Sequence, residues 1–257
     1  MSEKVEPSKI IGHGPTRLIA VAGWMGDHRL FEPMEPFIDK ARFTVALLDA
    51  RGYGARRDAD GPFTVGRIAG DMLACADGLG WDRFHLLGHS MAGMSAQRVL
   101  ADAPDRVESA ILVAPVPASG ARIDADRRNL LIAATTDAEA RKRLIDANTG
   151  RVQPDAWLST LRDVSVAGTR PDVLQAYMLS WTGPGFEEEI GDVRVPVHVV
   201  IGRLDPGASE TRLRDTIGVW FGNVEFTVLD DCGHYPMWER PEQFHSALVA
   251  GPLGRAS

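Results

Sequence analysis

Apolar residues in this chain come in short compact runs separated by amphipathic stretches, the pattern of strands buried on both faces alternating with helices. Residues 18–22, Phe43–Leu48, 84–87, Val107–Val113 and 195–201 are such runs, and Val224–Leu229 alternates as a last strand. From Val65 onward, Ile68, Met72, Cys75 and Leu79 recur at helical spacing, which makes Cys75 a core thiol. Met94, Val99 and Leu100 mark the packing side of a helix over residues 91–100. Residues 4–11 read as a short edge strand, and Gly12-His13-Gly14-Pro15 as the turn after it. Residues 30–40 suggest a helix interrupted by Pro33 and Pro36, residues 211–217 another, and residues 241–249 a closing helix that Pro241 and Glu242 are well suited to begin.

The alternation stops after Val116 and resumes near Asp192. In between, the pattern predicts helices over Ala125–Ala134, Ala138–Asn148, 154–166 and Pro171–Trp181. The expected architecture is therefore α/β: a mostly parallel, doubly wound sheet with helices on both faces, built from residues 1–115 and 193–257, with a helical insertion at 116–192. A chain of 257 residues, 44% hydrophobic, is long enough for one such domain with a full core.

Charge and cysteine content narrow the function classes. The net charge of −7 gives no support to nonspecific attraction to nucleic acid or an anionic membrane. The basic clusters Arg56-Arg57, Arg127-Arg128 and Arg141-Lys142-Arg143 read most simply as solvated faces. Cys75 and Cys232 have no Cys-x-x-Cys partner, so neither a disulfide framework nor a zinc site is indicated, and a reducing compartment fits. Residues 1–9 lack the apolar core of a signal peptide, and no run approaches the ~18 apolar residues of a membrane span. The expectation is a soluble cytoplasmic protein, monomer or homodimer, without nucleic-acid or membrane partners. Gly12-x-Gly14 and Gly52-x-Gly54 have Arg17 and Arg57 where a third glycine would complete a dinucleotide fingerprint, and no phosphate loop occurs; no cofactor or metal is expected.

The chemistry concentrates at Leu86-Leu87-Gly88-His89-Ser90-Met91-Ala92-Gly93, a strand running through a serine into a helix. This is the setting of a nucleophile elbow, in which small residues flank the serine because the turn is tight. The strict G-x-S-x-G is relaxed here, with Ala92 two places after Ser90 and Gly93 following. A serine hydroxyl needs a general base, and the base needs a carboxylate to fix its tautomer. Two later loops, each directly after an expected strand, offer them: Asp205 in Gly202-Arg203-Leu204-Asp205-Pro206 and His234 in Gly233-His234-Tyr235. Asp230 and Asp231 also stand near His234 in sequence, but adjacency would aim them poorly at its ring. His89 would be directed away from the serine. Asp49-Ala50-Arg51 is read as a structural loop.

With Ser90, Asp205 and His234 in that chain order, the sequence resembles the α/β-hydrolase fold family over nearly its whole length. The resemblance implies Ser90 as nucleophile, Asp205 as acid, His234 as base, and the backbone N–H groups of Met91 and Trp24 as oxyanion-hole donors. The family commonly has His-Gly in the latter loop, where this chain has Ala22-Gly23-Trp24. The insertion corresponds to the family's cap. Its Leu130, Leu131, Trp157, Leu161, Tyr177, Met178 and Trp181 are candidates for an apolar roof, and Trp157, Tyr177 and Trp181, with Met25 and Tyr235, for substrate contact. The activity implied is cleavage of a small to medium, largely apolar carboxylic ester, a carboxylesterase. Carbon–carbon bond hydrolysis, lactone, thioester or perhydrolase chemistry, or a hydrolase-like binding protein without turnover, are the alternatives.

Overall fold

The computed structural model describes residues 5–255; the proposed start of the first strand at Lys4 lies outside them. Seven strands form one sheet in the order β1-β3-β2-β4-β5-β6-β7. They are β1 (Lys9–Gly12), β2 (Thr16–Val21), β3 (Phe43–Leu48), β4 (Phe84–His89), β5 (Val107–Val113), β6 (Val197–Gly202) and β7 (Val224–Leu229). Only β1, at the edge, runs antiparallel, pairing Lys9 with Leu47; every other pair is parallel. The interior strands β4 and β6 are buried at every residue, which is why they lack polar alternation, whereas β7 at the other edge is only half-buried.

Helices α2 (Met91–Asp102) and, near the C-terminus, α10 (Pro241–Ala250) pack on the sheet, and α1 (Val65–Gly78) packs against α2. Between β5 and β6 lie α3 (Ala125–Ala134), α4 (Ala138–Asn148), α5 (Asp155–Gly168) and α6 (Pro171–Trp181). Asp124 and Asp137 cap α3 and α4, each side chain accepting a bond from a first-turn amide, so the helix starts are written locally. This helical segment is tied to the sheet loops: the Trp24 indole donates to Leu174 O at 2.8 Å, and the Tyr177 hydroxyl to Arg51 O at 3.1 Å.

Two elements differ from expectation. The helix expected at 30–40 is a 3-10 run over His28–Phe37, because Pro33 and Pro36 lack the N–H groups an α-helix would need there. The helix expected at 211–217 is split into α7 (Glu210–Arg214) and α8 (Ile217–Trp220). The Thr216 hydroxyl bonds back to Arg212 O at 2.8 Å while its own backbone leaves the helical region, so the side chain competes with the ladder. The short α9 (Pro236–Glu239) falls below the length that periodicity reveals. Among the described residues no helix is long and apolar enough to cross a membrane.

Candidate active site

Order reverses around β2, whose neighbours β3 and β4 come later in the chain on opposite sides, and the loops beyond the carboxyl ends of the central strands meet there. Ser90 joins β4 to α2 with φ 53° and ψ −115°, a conformation ordinary residues avoid. The surroundings hold it: Ser90 N donates to Val113 O at 2.8 Å, and Ser90 O accepts from Gly93 N at 2.9 Å and Val116 N at 3.0 Å. A Cβ on Gly88 would lie 2.3 Å from Ala92 O, and one on Gly93 2.7 Å from Pro115 Cβ. Glycine is thus required at 88 and 93. Ala92, fully buried, accommodates its methyl, which accounts for the relaxed motif.

The other two sequence candidates arrive at the same point. His234 Nε2 lies 3.0 Å from Ser90 Oγ, and His234 Nδ1 lies 2.5 Å from Asp205 Oδ2. Asp205 is buried, and its second oxygen accepts from Gly207 N at 2.8 Å. The competing carboxylates point elsewhere, Asp230 to Arg203 and Asp231 to Arg240, both on the surface. Close approach of the β6 end to the histidine loop makes this possible: a Cβ on Gly202 would sit 2.2 Å from Gly233 O.

The loop after β2 lies against the serine. A Cβ on Gly23 would be 2.6 Å from Ser90 Cβ, so glycine there permits the approach. His89 supplies the bracing that the missing loop histidine leaves open. Its Nδ1 accepts from Gly23 N at 3.2 Å, and its Nε2, in the tautomer this requires, donates to His234 O at 2.9 Å. Burial, and then the neighbouring His234, push the His89 pKa down to about 3, so the ring stays neutral and keeps both bonds. Trp24 N–H lies beyond the end of β2 and its ladder, and Met91 N–H is a first-turn amide that α2 cannot pair internally.

The chain belongs to the α/β-hydrolase fold family. The family model for the alpha/beta hydrolase fold matches residues 16–241. A 2-hydroxy-6-oxononadienedioate/2-hydroxy-6-oxononatrienedioate hydrolase of Paraburkholderia phymatum is 25% identical over 93% of this chain and 83% of its own. Among solved structures, the enol-lactonase from Burkholderia xenovorans LB400 superposes with a TM-score of 0.77 at 22% identity, covering 94% of each chain. An esterase from Exiguobacterium antarcticum gives 0.80 at 19%, covering 94% of this chain and 93% of its own.

In this hydrolase a cavity of about 300 Å³ opens over Ser90 and His234, between the sheet loops and the helical segment. Met25, Trp181 and Tyr235 of the expected contact residues line it, as does Leu131. Trp157 and Tyr177 do not. Tyr177 is wholly buried, edge-on to Tyr53 at 5.4 Å and bonded to Arg51 O, so it fastens the helical segment. Trp157 packs edge-on against Trp238 at 6.2 Å. The roof is also less apolar than expected, because Arg122, Arg127 and Arg212 stand on the wall.

Several arginines expected on solvated faces are structural. Arg127 is half-buried and reaches Asn148 Oδ1. Arg141 is buried and donates to Ala134 O, Ser165 Oγ and Thr169 Oγ1, and Arg56 pairs with buried Asp71 at 2.9 Å. Amphipathic periodicity hides such cases, since a long guanidinium can turn inward from a polar face.

Two supporting residues escaped sequence reasoning. Glu239 accepts from Gly233 N at 2.9 Å and Tyr235 N at 2.8 Å, clamping the backbone on both sides of His234. Asn148 O accepts from His234 N at 3.0 Å. The position of Glu239 in a short helix just after the histidine was the available signal.

Both cysteines are buried and unpaired, and burial pushes the Cys75 pKa up to about 11. Asp27, His28 and Asp49 are close enough to share a metal ion. Protein donors already occupy them: Arg29 bonds Asp27 at 2.6 Å, and Asp49 accepts from His28 N at 2.6 Å and Ala55 N at 2.8 Å.

Proposed function

We propose that the chain is a serine hydrolase of small carbonyl compounds, with Ser90 as nucleophile, His234 as general base and Asp205 as its orienting acid. The observation that carries this reading is the unbroken series Ser90 Oγ, His234 Nε2, His234 Nδ1, Asp205 Oδ2, with Ser90 and His234 on the wall of a cavity. His234 takes the Ser90 proton as Oγ attacks the carbonyl, Asp205 stabilises the resulting imidazolium, and the amides of Met91 and Trp24 receive the oxyanion. His234 then returns the proton to the departing group. A water that His234 deprotonates next releases the acid and frees Ser90.

For the bond cleaved, the full-length relatives favour a reading other than a simple carboxylic ester. The substrate in the Paraburkholderia enzyme's name is an oxo-dienedioate without an ester group, so a hydrolase acting on it opens a carbon–carbon bond. For the carbon–carbon bond, the 2-hydroxydiene must first lose its hydroxyl proton and gain one at the carbon beside the 6-oxo group, so that cleavage releases a conjugated enolate; that enolate, like the one from an enol-lactone, then takes a proton from His234. The modest cavity supports a small substrate for either. Ester cleavage is the second reading, since the machinery serves it equally.

The test is a panel comprising a 2-hydroxy-6-oxo-2,4-dienoate, an enol-lactone and 4-nitrophenyl butyrate, with Ser90→Ala as the blank. The value of kcat/KM for the dienoate or the lactone is expected to exceed that for the ester by at least about tenfold. Preference for the ester would reinstate the carboxylesterase reading. Turnover that persists in folded Ser90→Ala would remove the proposed nucleophile.

A further inference from the structure

The lining of the cavity that exposes Ser90 and His234 includes three arginines, Arg122 and Arg127 at the start of the helical segment and Arg212 on α7. The chain as a whole is acidic, at −7, so this is a local reversal of sign. Many other arginines are matched by carboxylates, as Arg98 is by Asp102 and Glu189 and Arg162 by Glu139 and Asp163, although buried Arg141 is met by neutral oxygens. Among the described residues, no ion pair involves Arg122, Arg127 or Arg212.

Their contacts inside the protein are to neutral oxygens. Arg127 donates to Asn148 Oδ1, and Arg212 donates to Gly120 O at 3.1 Å. The one acidic residue on the cavity lining, Asp124, caps α3 by accepting from Arg127 N at 2.7 Å, and Asp205 is committed to His234 and Gly207. Burial draws the Arg127 and Arg212 pKa values below the ordinary arginine value, and for Arg212 the nearby Arg122 charge adds to this. Half-burying like charges together is unfavourable unless an anion joins them, and a carboxylate matches the planar fork of guanidinium.

We propose that Arg122, Arg127 and Arg212 form a carboxylate-binding end of the substrate cavity, so that the compound attacked by Ser90 carries a carboxylate on the same molecule. This rests on the hydrolase reading above and specifies its substrate class. It also replaces the largely apolar substrate expected from the sequence: Trp24, Met25, Leu131 and Trp181 contact the carbon skeleton while the arginines select its charged end.

The experiment compares mono(4-nitrophenyl) adipate with 4-nitrophenyl hexanoate, an uncharged ester of equal acyl length. Wild type is expected to favour the anionic ester by about 10- to 100-fold in kcat/KM, the scale of a hydrogen bond to a charged group. That ratio falls toward unity in Arg127→Leu and Arg212→Leu, falls less in Arg122→Leu, which is more exposed, and shrinks with added salt. Arg127 also holds Asn148, so Arg212→Leu and Arg122→Leu keep the test open if Arg127→Leu does not fold. A wild-type ratio near or below one, or a ratio unchanged across all three variants, overturns the proposal.

Calorimetric titration of adipate and of inorganic phosphate into Ser90→Ala reads the same end without turnover. Adipate binding that is lost in Ser90→Ala/Arg212→Leu supports the site. Absent adipate binding, or phosphate binding as tight as adipate, overturns a carboxylate site. Failure of wild type to cleave either ester or to label with a fluorophosphonate would instead count against the hydrolase reading, and the calorimetry still decides the anion site.

Discussion

Gly23→Ala probes the loop that this account sets against the nucleophile. The added Cβ would lie 2.6 Å from Ser90 Cβ, 2.9 Å from His89 O and 3.0 Å from His89 Nδ1. Comfortable carbon–carbon contact is at ~3.5–4.0 Å, so the loop or the elbow must yield by about 1 Å. The elbow is held by β4, β5 and three backbone bonds of Ser90, whereas the Gly23 loop is held at this point by the Gly23 N to His89 Nδ1 bond, so the loop moves. Trp24 N–H moves with it. Losing one oxyanion donor costs ~10²- to 10³-fold in kcat, and a 1 Å misplacement alone ~10²-fold. Overpacking should cost ~1–3 kcal/mol in stability, lowering Tm by roughly 2–4 °C for each kcal/mol in a chain of this size. Gly70→Ala is the control, because nothing lies within 4 Å of its added Cβ. Steady-state kinetics on the best substrate of the panel, with thermal unfolding of the same samples, separate activity from folding. A folded Gly23→Ala enzyme with kcat within about threefold of wild type would refute the placement of this loop as an oxyanion donor.

Asp205→Asn should lower kcat by about 10⁴-fold through the wrong His234 tautomer, measured on purified folded protein. Asp230→Asn and Asp231→Asn, which break exposed pairs with Arg203 and Arg240, should stay within a few-fold of wild type, and the reverse order would move the acid. Trp181→Ala should alter the substrate profile. Tyr177→Phe should leave the profile alone and cost ~0.5–1.5 kcal/mol by removing its hydrogen bond to Arg51 O, as chemical denaturation would show. The hydrogen bond to Asp49, opposed by burial, raises the His28 pKa above 6.5. The stabilisation from protonated His28 is therefore full below the unfolded pKa and is lost as pH rises through the folded one. The Tm gap between wild type and His28→Gln should be wider at about pH 5.5 than at about pH 8.5, and a gap that widens with pH would contradict the assignment.

Strands buried on both faces announced themselves as apolar runs, and Phe43–Leu48, Val107–Val113 and Val224–Leu229 begin and end where the sequence places them. The helices of residues 116–192 were legible because amphipathic spacing coincides with local caps such as Asp124 and Asp137. Ser90, Asp205 and His234 could be read as candidates because each lies in the connection that follows a strand. Side-chain direction was not legible. Tyr177 and Trp157 satisfy the same helical pattern as Trp181, and only the packing of α6 against Tyr53, and of Trp157 against Trp238, turns them from the cavity. The same holds for Arg127, whose neighbour Arg128 is exposed as a solvated-face reading expects. The compensation of Ala22 by His89 could not be read either, since the bond that makes it joins Gly23 and His89, 66 apart in sequence, through a ring nitrogen.

The claim on which the rest depends is that Ser90 is an activated nucleophile. Intact-protein and peptide mass spectrometry after brief exposure to a fluorophosphonate measures this most directly. One adduct is expected, on Ser90, absent in Ser90→Ala and formed far more slowly in His234→Ala. An unlabelled wild-type protein, or an adduct on another residue with Ser90 untouched, would contradict it.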